Sequence, residues 1–134
     1  ASNLHFWMRV QEAKRRGVNR LVVNHPEEII DASMNDVGGL VALGARMEHS
    51  LCMFVEGSKF KTCSAEDLRQ HIDAAGVDQT VLCSDLGQTG TIAPLEGLRR
   101  GIRLCIDLGY DDKQIRKMVS SNAARMLGIE INVV

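Results

Sequence analysis

Val81-Leu82-Cys83 is a short apolar run with a β-branched start, and it stops abruptly at Ser84-Asp85. Such a run reads as a fully buried strand. Gly87 and Gly90 follow, and Thr91-Ile92-Ala93-Pro94 then opens a long amphipathic pattern. A carboxylate at the C-terminal tip of a buried strand, before a glycine-rich loop and a helix, occupies the usual catalytic position of a parallel α/β fold. The competing reading is that Asp85 only caps a turn. His25 stands in the same relation to an earlier run, Arg20-Leu21-Val22-Val23-Asn24, and Pro26 denies it the helical region. Taken alone, His25 also reads as a hydrogen-bonded loop histidine. In a parallel sheet the C-terminal strand ends share one rim, so His25 and Asp85 should converge there. Imidazole and carboxylate together suit a divalent transition metal or general acid–base work.

Glu48 and His49 add two further polar groups, in a stretch of period-2 character at 45–53. Being adjacent on a strand, they face opposite ways. His49 is read as a structural or substrate-pocket residue rather than a metal ligand. His5 and His71 fall within helical patterns and read as surface residues.

The elements that must position these groups follow from periodicity and punctuation. A helix is expected over 3–16, stopped by Gly17 after a basic last turn. A strand follows at 20–24, then a helical turn from Glu27 to Asp31. Asn35-Asp36 can cap a second helix carrying Val37, Leu40, Val41 and Leu43 before Gly44. The strand at 45–53 places Met47, His49, Leu51 and Met53 on one side. After a loop at Gly57-Ser58-Lys59, Ser64 and Asp67 give a capping-box start to a helix that ends at Gly76. The strand at 79–83 and a helix over 94–108 come next, the latter ended by Gly109. Asp111-Asp112 start another helix, and a short last one spans 122–127 before Gly128. Strands alternating with helices make this βαβαβα, a parallel sheet with right-handed crossovers.

Composition narrows the function. The 134 residues are 45% hydrophobic and 25% charged, as in an ordinary globular domain. A net charge of −1 leaves no electrostatic footprint for nucleic acid or an anionic membrane. Aromatic content of 4% argues against stacking platforms for single strands. The spacing of Cys52, Cys63, Cys83 and Cys105 matches no zinc-ribbon or redox pattern, so they read as reduced thiols of a cytoplasmic protein. Gly87-Gln88-Thr89-Gly90-Thr91 lacks the Gly-Lys-Ser/Thr ending of a phosphate loop. The segment from Asp112 to Ile129 could pass for a helix-turn-helix, a lesser reading given the charge.

Three stretches carry a family likeness: Asn24-His25-Pro26, Ser84-Asp85-Leu86-Gly87, and the tail Ser121-Asn-Ala-Ala-Arg-Met-Leu-Gly-Ile129. Together they resemble the amidohydrolase superfamily of metal-dependent TIM-barrel hydrolases, with Ala123 in place of the proline usual in that tail. The resemblance implies that the runs at 20–24, 45–53 and 79–83 are barrel strands six, seven and eight. The chain would then be the C-terminal part of such an enzyme. It implies a divalent metal, zinc, with His25 and Asp85 as ligands and Asp85 as the base toward a metal-bound water. Glu48, His49, Ser84 and Gln88 would shape the pocket of a small-molecule substrate. The family's His-x-His on strand one and its ligand on strand four or five have no counterpart here. Association with a missing N-terminal half, or with another copy, is therefore expected. A half-barrel that binds or assembles without catalysis is the alternative.

Overall fold

The computed structural model describes residues 4–131; residue 3, where the sequence starts its first helix, lies outside them. The fold is mixed α/β around a three-stranded parallel sheet. Helix α1 (Leu4–Arg15) leads into β1 (Leu21–Asn24), α2 (Met34–Ala42) and β2 (Ala45–Ser50). Helix α3 (Ala65–Ala75), β3 (Thr80–Cys83) and α4 (Pro94–Asp107) follow. The chain closes with α5 (Asp112–Arg116) and α6 (Asn122–Leu127). Strand order is β1-β2-β3, with Asn24 opposite Glu48, Glu48 opposite Val81 and Ser50 opposite Cys83. Among the described residues β1 and β3 each pair only with β2.

Local chemistry accounts for the helix starts. Ser33 caps α2 and Ser64 caps α3, each in a reciprocal box with the aspartate three residues on, Asp36 and Asp67. Each box satisfies two backbone donors that a helix N-terminus otherwise leaves bare. The cap of α2 is thus Ser33 rather than Asn35-Asp36, and Asp36 acts from inside the first turn. Asp111 and Gln114 form a third box at α5. Pro94 starts α4, where its missing N–H costs nothing.

Two departures from the sequence reading matter. The strand expected over 45–53 ends at Ser50, and Leu51–Met53 wind into a 3₁₀ turn. Leu51 through Val55 are all buried, so alternation has already given way to a continuous apolar run that no flat strand could bury on one face. The second departure is at the C-terminus. The helices α5 and α6 are joined by a π-helical turn, Lys117–Ser121, so that 112–127 is one unbroken helical run. It lacks the turn that a helix-turn-helix needs.

The pleat sorts the strands into two unlike faces. Leu21, Val23, Ala45, Met47 and Leu82 point to one, where they join the apolar cores with α1, α2 and α3 and the C-terminal helix. Val22, Asn24, Arg46, Glu48, Ser50, Val81 and Cys83 share the other, which is polar and half open. A parallel sheet is ordinarily covered on both faces. Among the described residues no helix is long and apolar enough to cross a membrane.

Candidate functional site

The sheet directs two strand ends at one another. β1 stops at Asn24 and β3 at Cys83, and the chain turns within two residues of each. His25 and Asp85, at these turns, both hold left-handed backbone, with φ of 49° each. An L-residue there gives up about 1–2 kcal/mol relative to right-handed conformations, although Asp and His tolerate it better than most. The turns bring His25 Nε2 to 3.4 Å from Asp85 Oδ2. His25 Nδ1 lies 3.3 Å from Met53 Sδ, and Cys52 Sγ donates weakly to Asp85 Oδ2 at 3.9 Å. The His25 ring thus stands between the Met53 thioether on its Nδ1 side and the Asp85 carboxylate on its Nε2 side.

The pair stands in a cleft of about 380 Å³. Met53, Ile29 and Phe60 give it an apolar wall, and Glu28, Lys59 and Gln88 a polar rim. Two loops close over it: Lys59 Nζ donates to Thr89 O at 2.6 Å, and Lys59 N to Thr91 Oγ1 at 3.2 Å. Thr62 Oγ1 donates to Glu28 at 2.6 Å and fixes the opposite rim.

On the open sheet face behind the rim, Glu48 gathers three donors: Ser50 Oγ at 3.0 Å, Cys83 Sγ at 2.6 Å and Asn24 Nδ2. Burial first and Glu48 second push the Cys83 thiol up to about 12. Burial, then Asp85, push Cys52 up to about 11. Both sulfurs are therefore protonated donors to carboxylates at neutral pH and not nucleophiles.

The sequence-derived residues separate on this map. His25, Asp85 and Gln88 line the cleft. Glu48 shares the open face but is occupied by Asn24, Ser50 and Cys83. Ser84 serves through its carbonyl, which accepts from Cys52 N at 3.1 Å and ties the end of β3 to the 3₁₀ turn. His49 does not reach the cleft. It is fully buried on the helix side of β2, hydrogen-bonded to Glu27, with its ring edge-on to His71 at a centroid distance of 6.0 Å. His71 is buried too, not a surface residue, its Nδ1 donating to Asp67 O at 2.8 Å; His5 is exposed as expected.

Cys52, Met53 and Glu27 are site neighbours that sequence reasoning passed over. Cys52 and Met53 join the cleft because β2 ends early, and the unbroken apolar run 51–55 was the available signal. Among the described residues no group of three or more His, Cys, Asp or Glu is placed to hold a metal ion.

Comparison with known proteins adds one finding. A family model described as a family of unknown function (DUF6282) matches residues 1–48, which cover α1, β1, α2 and β2 as far as Glu48. His25 falls within the matched stretch and Asp85 outside it. No curated protein matches the chain, and no solved structure does.

Proposed function

We propose that this chain contributes the last three strands of a barrel in a metal-dependent hydrolase of the amidohydrolase type, with His25 and Asp85 as its share of the reactive centre. The observation that carries this reading is the approach of His25 Nε2 to Asp85 Oδ2, 3.4 Å apart on the C-terminal rim of parallel strands. Two donors bound tetrahedrally at about 2.0–2.2 Å are themselves separated by about 3.3–3.6 Å, so the pair fits two vertices of a zinc shell. The half-open polar face of the sheet supports it as well, since the inner face of a barrel meets other strands and not helices.

The fit is partial. A catalytic zinc takes three protein ligands, and the described residues offer two. The third would come from elsewhere in the assembled barrel. A divalent ion held there supplies Lewis acidity and lowers the pKa of a coordinated water to about 7. The chain's own residues do the rest. With Oδ2 turned toward the ion, Asp85 would accept a proton at Oδ1, His25 offers Nε2 while Met53 lies on its Nδ1 side, and the Met53–Ile29–Phe60 wall excludes water from the apolar part of a small substrate. A binding half-barrel without catalysis is the second reading, favoured by the count of two ligands among the described residues.

Zinc titration of the chain followed by calorimetry tests the proposal. Binding that His25→Ala and Asp85→Asn each weaken by about tenfold or more supports it, on the scale by which site perturbations alter metal affinity. Binding that neither substitution alters, or no binding with or without added barrel strands, would overturn it and leave the non-catalytic reading.

A further inference from the structure

The buried pair Glu27–His49 lies beneath the turn that carries His25, and nothing in the reaction itself uses it. Glu27 follows His25 by two residues. Its side chain is 3% exposed and that of His49 0%, and the Glu27 Oε1 carboxylate oxygen meets His49 Nδ1. A carboxylate is rarely taken so far from water unless something holds it there. The preceding residue of the same strand supplies a second attachment: His25 N donates to Glu48 O at 3.2 Å. Consecutive residues of β2 thus hold the turn at two points, Glu48 through its backbone carbonyl in the plane of the sheet and His49 through its ring on the helix side. Within the turn, Ala32 N donates to Pro26 O at 2.9 Å, and Ile30 N to His25 O at 3.4 Å. These internal bonds shape the turn but do not attach it to the sheet.

The grip falls where the backbone most needs it. His25 is left-handed and so is Asp31 at the far end of the turn, with φ of 49° and 52°. Strained backbone persists where the surroundings over-determine it. Released from β2, His25 would relax toward the extended backbone that Pro26 favours for its predecessor, and its ring would swing from Met53 and Asp85.

We infer that Glu27, through its buried bond to His49, is a positioning residue that holds the His25 imidazole against Met53 and opposite Asp85. The inference deepens the proposed hydrolase reading and rests on it for its purpose, although the geometry it asserts can be checked without any metal. The bond needs an acceptor at Glu27 Oε1 and a ring donor at His49. Acceptor chemistry, more than charge, does the positioning.

The experiment compares Glu27→Leu, Glu27→Gln and His49→Leu in the 134-residue chain. The first readout is the proton–proton Overhauser contact between the His25 ring and the Met53 S-methyl group. The second is affinity for cobalt(II), a spectroscopic stand-in for zinc. Leucine fills the space of Glu27 without an acceptor, whereas glutamine keeps both volume and acceptor. Glu27→Leu and His49→Leu should lose the contact and about 10–100-fold in cobalt affinity. Glu27→Gln should keep the contact and lie within about threefold of the parent. A purely structural role would lower the melting temperature of all three while leaving the contact intact in the folded molecules. That result, or a glutamine variant as impaired as the leucine one, overturns the inference. Should Glu27→Leu not fold, the contact in His49→Leu and Glu27→Gln decides the question in the same two directions. A parent chain that shows the contact, loses it in the leucine variants and binds no cobalt with or without added barrel strands would sink the hydrolase reading and leave the positioning role standing.

Discussion

Asn122→Ala should destabilise the protein through the strand that presents Asp85. Asn122 is fully buried in the C-terminal helical run, and its Nδ2 donates to Val77 O and to Thr80 O, both at 2.7 Å. These two bonds clamp the start of β3 to the helix. Val77 O also accepts from Thr80 N, so losing Asn122 costs it one of two donors, about 0.5–1.5 kcal/mol. Thr80 O loses a buried donor outright, at about 1–3 kcal/mol. Two effects act the other way. Asn122 Oδ1 is itself buried without a partner, and deleting it returns about 1 kcal/mol. Alanine is also a better helix former, by about 0.5 kcal/mol. The central values leave a net loss of about 1.5 kcal/mol. With a urea slope of about 1–3 kcal/mol/M, the unfolding midpoint should fall by about 0.5–1.5 M. Asn122→Asp should be worse, because it sets a carboxylate against two carbonyl oxygens. An alanine variant within about 0.2 M of the parent, or an aspartate variant as stable as the alanine one, would refute the clamp.

Two further outcomes follow from the same packing. The thiols of Cys83, Cys52 and Cys105 are raised by burial to about 12, 11 and 11, against an ordinary value of about 8.5. Above that ordinary value the unfolded chain releases protons that the folded chain retains, so stability is full below about pH 8.5 and declines as pH rises toward 11–12. The urea midpoint at pH 10 should be lower than at pH 7.5, and a midpoint that rises would contradict the burial of these groups. Gly101→Ala should lower the melting temperature by a few degrees, as measured by circular dichroism. Its Cβ would sit 2.3 Å from Leu51 Cδ1 and 2.9 Å from Leu51 Cγ, with Leu51 fully buried beside the site turn. Overpacking of about 1–3 kcal/mol outweighs the gain of about 0.8–1.0 kcal/mol in helix propensity. A higher melting temperature would show that Leu51 has room to move.

Much of the scaffold could be read from local signals. The strands at 21–24 and 80–83 are short apolar runs bounded by polar or glycine residues. The helices over 65–75 and 94–107 carry their own starts, in Ser64 with Asp67 and in Pro94. These features depend on neighbours a few residues apart, which is the range over which periodicity and capping act. The convergence of His25 and Asp85 was also accessible, because alternation of strand and helix implies a parallel sheet, and a parallel sheet puts its C-terminal ends on one rim.

What alternation could not give was the fate of residues whose environment is made by distant chain. His71 has the spacing of a surface histidine, and only the packing of α3 on β2 buries it against His49. Glu48 and His49 are adjacent, and sequence says only that they part company; the cores formed with α2 and α3 decide that His49 is the inner one. Leu51, the first residue past β2, packs closely against Gly101, a contact fifty residues away that no local pattern announces. Glu27 carries no motif at all. Its importance arises from a single buried ring, supplied by a strand twenty-two residues on, at a depth where a polar side chain without a partner is costly. Sequence alone determined the order of strands and helices and which strand ends are polar, though not where β2 stops. The tertiary structure decided which polar groups meet, because burial and hydrogen-bond satisfaction are properties of surfaces brought together and not of the chain between them.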